Sequence, residues 1–208
     1  LTFSRYYLRT KTLSGQTLTS ELSQAFVGDL GHYDCFNHFI RLDGGDGLYF
    51  LRGTPKSSHE NKRLCRLNLD GSVDVVMDWD NRGSHLMEGT GCWGPENSLI
   101  RSFKIYDPLP NKGAIQIQRC DMPTGRVLWT RKITALVTSM TMINNNALAY
   151  GLTDGTLGVL DVLNGTVLFE ECLAVDGIST IPTALAANGS QLAIGTIDGR
   201  LILGNLEM

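Results

Sequence analysis

Short apolar runs recur along the whole chain and are separated by Gly, Asp and Asn residues. They are rich in β-branched and aromatic residues, which is typical of strands. No window of about 12 residues holds a sustained 3.6-residue apolar period, and the best helical candidate, residues 19–26, is short. The pattern therefore predicts an all-β fold. The clearest predicted strands are residues 47–53, 63–69, 73–79, 98–105 and 114–120.

One segment occurs twice. Residues 147–161 read ALAYGLTDGTLGVLD, and residues 191–205 read QLAIGTIDGRLILGN. Gly151, Asp154 and Gly155 of the first copy return in the second copy 44 residues later. A strand-like repeat with a period of about 40 to 50 residues indicates the blades of a β-propeller.

A second repeat has an offset of 40 residues. Residues 121–129 read DMPTGRVLW, and residues 161–169 read DVLNGTVLF. Weaker copies of its Gly turn occur at residues 68–73 and 12–17. We expect the glycine of each copy to close a hairpin between the two outer strands of a blade, because glycine adopts the positive φ that such turns need. These glycines are Gly15, Gly71, Gly125 and Gly165.

These repeats predict a single β-propeller domain, or a propeller segment, over residues 1–208, with about four to five blades of four antiparallel strands. The expected blades are residues 1–30 (partial), 34–80, 84–132, 136–173 and 178–208 (partial). Two interpretations of the partial blades stay open, because an uncovered strand edge invites aggregation. The chain forms a small closed ring, or it is a slice of a larger ring that residues outside this sequence or another chain complete. The slice is favoured.

Amino-acid composition limits the classes of binding partner that we expect. Of the 208 residues, 42% are hydrophobic and 19% are charged, as in ordinary globular proteins, and the formal net charge is −3. This weak acidity gives no electrostatic reason to expect nucleic acid, and no apolar run is long enough for insertion into a membrane. The expected partner is therefore another protein.

The five cysteines contain no CxxC pair, which argues against a disulfide framework and a zinc site. They are interpreted as small buried hydrophobes in a reducing compartment, so the expected location is intracellular, either cytoplasmic or nuclear. Asn164-Gly-Thr and Asn188-Gly-Ser match the glycosylation acceptor pattern. Both also fit Asn-Gly hairpin turns, and the turn interpretation is favoured.

Two repeat families share these features. The doubled segment resembles the hairpin between the second and third strands of WD40-type repeats, although Leu160-Asp161 and Gly204-Asn205 stand where the name-giving Trp-Asp would be. Residues 121–129 resemble the quinoprotein-like repeat, with its Asp, Thr-Gly turn and Trp. The resemblance is to the WD40-like and quinoprotein-like β-propeller superfamily, and it is clearest over residues 120–206. It implies a repeat scaffold, or alternatively a small-molecule or oxidoreductase role.

The residues themselves argue against catalysis. The chain has three tryptophans, and the second copy of the quinoprotein-like segment replaces its tryptophan with Phe169. Aromatic packing between blades explains the repeat without a cofactor. The DGGDG segment at residues 43–47 fits a tight turn better than a calcium loop. His32 and Asp34 could form an acid–base pair beside Cys35, but nucleophilic catalysis needs a base positioned by the fold, and the sequence spacing shows no sign of one. The sequence therefore predicts no catalytic residue, cofactor or metal site.

The hypothesis that follows is a non-enzymatic propeller that serves as a protein–protein interaction scaffold or substrate adaptor in a multi-subunit assembly. Propellers bind partners through rim loops, where aromatic and Arg residues are frequent anchors. Trp93 lies between glycines, and the candidate contact surface consists of Trp93, Arg52, Arg101 and Tyr106. The alternative is that Trp93 fills an interface between blades.

Overall fold

The computed structural model describes residues 7–14, 17–24, 36–40, 48–52, 63–67, 72–78, 86–105, 113–122 and 124–205. Every regular element in these ranges is a β-strand. The first ten are β1 (Tyr7–Ser14), β2 (Thr17–Gln24), β3 (Phe36–Ile40), β4 (Leu48–Arg52), β5 (Arg63–Leu67), β6 (Val73–Asp78), β7 (Leu86–Gly94), β8 (Ser98–Ile105), β9 (Ile115–Asp121) and β10 (Val127–Ile133). The others are β11 (Val137–Asn144), β12 (Ala147–Leu152), β13 (Thr156–Asp161), β14 (Val167–Cys172), β15 (Ala174–Val175), β16 (Ile178–Ser179), β17 (Pro182–Asn188), β18 (Gln191–Thr196) and β19 (Leu201–Asn205).

The strands form successive antiparallel sheets, each in chain order. Strands β3 to β6, β7 to β10 and β11 to β14 form three sheets of four strands, and β17 to β19 form a sheet of three. The first strand of each sheet contacts the first strand of the next, from β3 to β7, β11 and β17. This is the arrangement of propeller blades around an axis, and the described strands do not close a ring.

The prediction of an all-β fold built from four-stranded antiparallel blades is confirmed. Residues 19–24 of the short helical candidate lie in strand β2. A small hairpin of β15 and β16 precedes the last sheet, and the sequence analysis did not predict it, because strands of two residues are too short to show a period. The assignment of residues 1–208 to a single domain stays a prediction.

Apolar side chains are buried between successive sheets, on both faces of the sheet β11 to β14. One face carries Leu148, Tyr150 and Leu160, which cluster with residues of the preceding sheet such as Ile100 and Ile117. The opposite face carries Ala149 and Val159, which cluster with Leu192 and Ile194 of the following sheet. Neighbouring residues of one strand thus belong to different interfaces, because side chains alternate across a strand.

The repeated glycines close the outer hairpins as expected where the structure describes them. Gly125 and Gly165 have φ angles of 67° and 74°. The backbone N–H of each donates to the carbonyl of the aspartate four residues earlier, Asp121 or Asp161, at 2.8 Å. Gly15 and Gly71 lie outside the described residues.

Trp129, at the end of the segment 121–129, joins two sheets. The indole Nε1 of Trp129 in β10 donates to the carbonyl oxygen of Val162, in the turn after β13, at 2.7 Å. A Cβ atom at Gly165 in the same turn would lie 2.8 Å from the Trp129 ring. The glycine of one repeat therefore makes room for the aromatic residue of the preceding repeat, which is the packing between blades that the sequence favoured.

A second glycine makes room for an aromatic ring within a sheet. Tyr150 in β12 is opposite Gly158 in β13, which is in turn opposite Glu170 in β14. The buried Tyr150 ring lies over Gly158, and its hydroxyl hydrogen-bonds to the Glu170 carboxylate. Burial, together with this carboxylate, raises the pKa of Tyr150, so the phenol stays protonated and donates.

We predict that Gly158→Ala destabilises the protein by about 1–3 kcal/mol, because the added methyl overlaps the Tyr150 ring. Urea denaturation followed by circular dichroism measures the change. Gly204→Ala in β19 is the matched control, since a Cβ there has no heavy atom within 4 Å. Equal stability of the two variants would contradict the steric account.

Candidate functional site

The structure describes the side chains of two of the four predicted contact residues. Trp93 is at the end of β7, and Arg101 is in the middle of β8. Arg52 ends β4, but its side chain lies outside the described part, and Tyr106 lies outside it entirely. Partner binding by these four residues stays a prediction.

Trp93 is half-buried between two sheets. Its ring meets Tyr49 of β4 edge to face, with ring centroids 5.4 Å apart and an angle of 85° between the planes. It packs in the cluster that Tyr49 forms with Leu64 of β5 and Leu99 of β8. The residue thus fills an interface between blades, and its partly exposed side also lines a cleft.

Arg101 is 3% exposed and is part of the sheet interior. Its Nε and Nη2 atoms donate to Oε1 of Gln118 on the neighbouring strand at 3.1 and 2.7 Å. Its guanidinium carbon is 5.3 Å from the centroid of the Phe103 ring, within the range of a cation–π contact. The structure therefore does not bring Arg101 to the exposed surface on which Trp93 lies.

The cleft beside Trp93 has a volume of about 310 Å³ and lies between the turns that follow β7 and β11. We call it the turn cleft. It is lined by Cys92, Trp93, Gly94, Pro95, Met142, Ile143, Asn144 and Asn145. The contact between β7 and β11 brings the two turns together, although they are about 50 residues apart in sequence.

Buried Arg119 holds the first wall of the turn cleft. It is 2% exposed, and its Nη2 donates to the carbonyl of Pro95 at 3.0 Å and to the carboxylate of Glu96 at 3.2 Å. Its Nε donates to the Ser98 hydroxyl at 2.8 Å. Glu96 and Asn97 have φ angles of 56° and 54°, the left-handed region that few side chains adopt. The hydrogen bonds of Arg119 help to keep this turn in one conformation.

Asn144 holds the second wall. Its Oδ1 accepts hydrogen bonds from the backbone N–H of Asn146 at 2.8 Å and of Ala147 at 3.0 Å, which fixes the turn through a local side-chain bond. The carbonyl of Asn146 accepts from the N–H of Val162 at 2.8 Å. Asn145 at the tip is exposed. Both walls are thus held in place by hydrogen bonds, which lowers the entropic cost of binding there.

The chemistry of the turn cleft suits binding. Trp93, Pro95 and Met142 provide apolar surface, and Asn144 and Asn145 provide amide groups at the edge. Its described lining includes no carboxylate and no imidazole that could act as a general base. In the part of the chain that the structure describes, no group of three or more His, Cys, Asp or Glu side chains could hold a metal ion.

The aspartates of the doubled segment hold turns. Asp154 accepts hydrogen bonds from the Thr134 hydroxyl at 2.9 Å and from the N–H of Thr156 at 3.0 Å. Asp198 is hydrogen-bonded to Arg200 and Thr196, and these bonds hold the pKa of its carboxyl well below the usual value. The two residues therefore stabilise equivalent turns.

The remaining candidates from the sequence are the cysteines, the group around His32 and the segment 43–47. Cys65, Cys92 and Cys120 are buried, and burial raises the pKa of the Cys120 thiol, whereas Cys172 at the end of β14 is exposed. His32, Asp34, Cys35 and the segment 43–47 lie outside the described residues. The described ranges contain no helix of the length and apolar character needed to span a membrane.

Comparison with known proteins supports the fold. No family model and no curated protein matches the sequence. The computationally designed Ika8 protein has a TM-score of 0.50 and 13% identity, with 97% of this chain and 72% of that chain covered. The designed Ika4 protein has a TM-score of 0.49 and 16% identity, covering 82% of this chain and 99% of that one. BamB from Moraxella catarrhalis has a TM-score of 0.48 and 14% identity, covering 81% and 49%. Ika8 is a designed propeller, and this likeness shows the fold alone.

We predict that Arg119→Met destabilises the protein by about 2 kcal/mol or more, because the hydrogen bonds that the buried guanidinium donates to Pro95, Ser98 and Val162 are lost. Glu96→Gln should change the stability by less than about 1 kcal/mol, since the Glu96 side chain is 77% exposed and its ion pair is screened by solvent. Urea denaturation of both variants measures the difference. A Glu96→Gln variant as unstable as Arg119→Met would show that the ion pair, and not the carbonyl bonds, holds the turn.

Proposed function

We propose that this protein is a non-enzymatic β-propeller that acts as an interaction scaffold or substrate adaptor in a multi-subunit assembly, and that a partner protein binds at the turn cleft. The observation that carries the proposal is the position of Trp93. Its ring is fixed by Tyr49, yet it lines a cleft of about 310 Å³. A rigid aromatic residue at the edge of an open cleft is the kind of anchor that protein interfaces favour.

The dimensions and lining indicate what kind of group binds. A cleft of this volume accepts one or two side chains of a partner, and Met142 and Pro95 offer it an apolar wall. The amides of Asn144 and Asn145 can hydrogen-bond to a peptide backbone, which has both donors and acceptors. A peptide loop with an apolar side chain between Trp93 and Met142 fits this combination.

We also propose that the chain belongs to the WD40-like and quinoprotein-like β-propeller superfamily. The packing of Trp129 on Gly165 agrees with a quinoprotein-like repeat whose tryptophans join blades, and the turn of Asp154 agrees with a WD40-like hairpin. In this proposal the repeats serve the scaffold and bind no quinone. We also propose that the protein is intracellular, either cytoplasmic or nuclear.

The test uses an Asn145→Arg variant, which places a long side chain in the cleft without changing the packing of Trp93. The tagged chain is used to purify partners from its native source, and the affinity of a recovered partner is then measured by isothermal titration calorimetry. We expect Asn145→Arg to weaken binding at least tenfold, or about 1.4 kcal/mol.

Thr153→Arg is the matched control. It adds the same side chain at an exposed position in the turn after β12, at the opposite end of that strand from Asn145. It should bind like the unchanged chain. Equal binding by both variants would remove the turn cleft as the site, and recovery of a bound chromophore in place of a protein would overturn the scaffold proposal.

A further inference from the structure

Two Asn-Gly pairs, at residues 164–165 and 188–189, lie at hairpin turns of the described sheets. An asparagine that precedes glycine is open to an intramolecular reaction, because glycine has no side chain to hinder the approach of its own backbone nitrogen to the asparagine amide. The reaction requires that neither the side-chain amide nor the backbone nitrogen is held elsewhere. The two pairs differ in both respects.

The first pair is held by hydrogen bonds. Oδ1 of Asn164 accepts from the N–H and the hydroxyl of Thr166 at 2.8 and 2.7 Å, and its Nδ2 donates to the Asp161 carboxylate at 3.0 Å. The N–H of Gly165 donates to the Asp161 carbonyl at 2.8 Å. Gly165 is also buried, and it packs against the Trp129 ring. Both reacting groups of this pair are therefore engaged.

The second pair has none of these restraints. Asn188 ends β17 and pairs with Gln191, so Gly189 and Ser190 form a two-residue turn. Asn188 and Gly189 are exposed, and a Cβ atom at Gly189 would have no heavy atom within 4 Å. Among the described residues, no hydrogen bond holds the side chain of Asn188, and none engages the N–H of Gly189. Both reacting groups of this pair are therefore unengaged.

The internal repeat provides a comparison at the same position of the preceding sheet. With the 44-residue offset, Asn188 corresponds to Asn144, whose Oδ1 accepts from the N–H groups of Asn146 and Ala147. Asn144 therefore holds its own turn, whereas Asn188 does not. Asn144, Asn145 and Asn146 are exposed although their sheet packs against a neighbour on each face. A sheet packed on the other face of β17–β19 would likewise leave the turn of Asn188 exposed.

We propose that Asn188 is a site of spontaneous deamidation in the folded protein and that Asn164 is protected from it. The deprotonated backbone nitrogen of Gly189 attacks Cγ of Asn188, and the new N–C bond replaces the bond to the side-chain nitrogen, which takes a proton from water and leaves as ammonia. Water then opens the resulting succinimide ring. Addition at Cγ gives aspartate, and addition at the main-chain carbonyl gives isoaspartate, in which the backbone runs through Cβ.

The modification changes both charge and backbone length at one turn. Either product places a new carboxylate at the end of β17, whose first-strand neighbour β11 ends in the turn of Asn145. Isoaspartate also inserts a carbon atom into the backbone where Asn188 pairs with Gln191. Because that pair closes the hairpin of β17 and β18, the isoaspartate form has a disturbed register at its turn.

The test follows both asparagines in the unchanged full chain at mildly alkaline pH. Samples taken over several weeks are digested with a protease, and mass spectrometry with electron-transfer fragmentation quantifies aspartate and isoaspartate at each site. We expect Asn188 to react at least tenfold faster than Asn164, because Asn164 reacts only when its turn opens. In concentrated urea the two rates should become similar, since each asparagine precedes a glycine and neither is then restrained.

Two variants separate the contributions. Asn188→Gln is the matched control, because glutamine keeps an amide but would have to form a larger, six-membered ring. It should abolish most of the acidic species that accumulates in ion-exchange chromatography of the unchanged chain. Thr166→Ala removes one hydrogen bond from Asn164, so it should raise the rate there by about two- to tenfold and leave the rate at Asn188 unchanged.

Two results would overturn the proposal. The first is a folded chain in which Asn164 reacts as fast as Asn188 or faster. The second is an Asn188 that reacts in urea but stays intact in the folded chain, which would mean that its turn is restrained or covered. Neither result bears on partner binding at the turn cleft.

Discussion

Burial of apolar side chains between successive sheets is the interaction on which the rest of the structure depends. A single sheet cannot form a core by itself, because one layer of strands cannot cover both of its faces. Leu148 and Ala149 show the arrangement, since these adjacent residues of β12 are fully buried in different interfaces. Burying one leucine side chain contributes about 1.5–3 kcal/mol, so each sheet takes much of its stability from its neighbours.

Polar contacts then align the sheets that the apolar contacts hold together. The carbonyl of Val162 accepts hydrogen bonds from Trp129 at 2.7 Å and from Nη1 of Arg119 at 3.3 Å. Both donors belong to the preceding sheet. Arg119 also holds the turn of Pro95 and Glu96, so the wall of the turn cleft is connected directly to the interface between two blades. The shape of the cleft therefore depends on the relative position of those sheets.

Local chemistry and aromatic packing between blades could be predicted from the sequence, but the residues that meet across each interface could not. Gly125 and Gly165 were recognisable as hairpin residues because the need for positive φ is confined to a few neighbouring residues. Arg101 was expected at the contact surface because arginine is a frequent interface anchor, but Gln118, 17 residues away, gives it an interior partner. The approach of Trp93 to Asn145 depends on the packing of β7 beside β11, for which single-sequence patterns contain no signal. The asparagine run at 144–146 is a turn signal that the sequence analysis did not single out.

The contacts of the innermost strands have a thermodynamic consequence. In the described part of the chain, β3, β7, β11 and β17 touch in series, so coupling passes from each blade only to the next. Such an array follows nearest-neighbour statistics, as solenoid proteins do. Among the described sheets, β11–β14 has two neighbours, whereas β3–β6 and β17–β19 have one each, so opening would start at either end of this series and spread inward. Amide hydrogen exchange should then be graded along the chain, with the slowest rates in β12 and progressively faster rates toward β19.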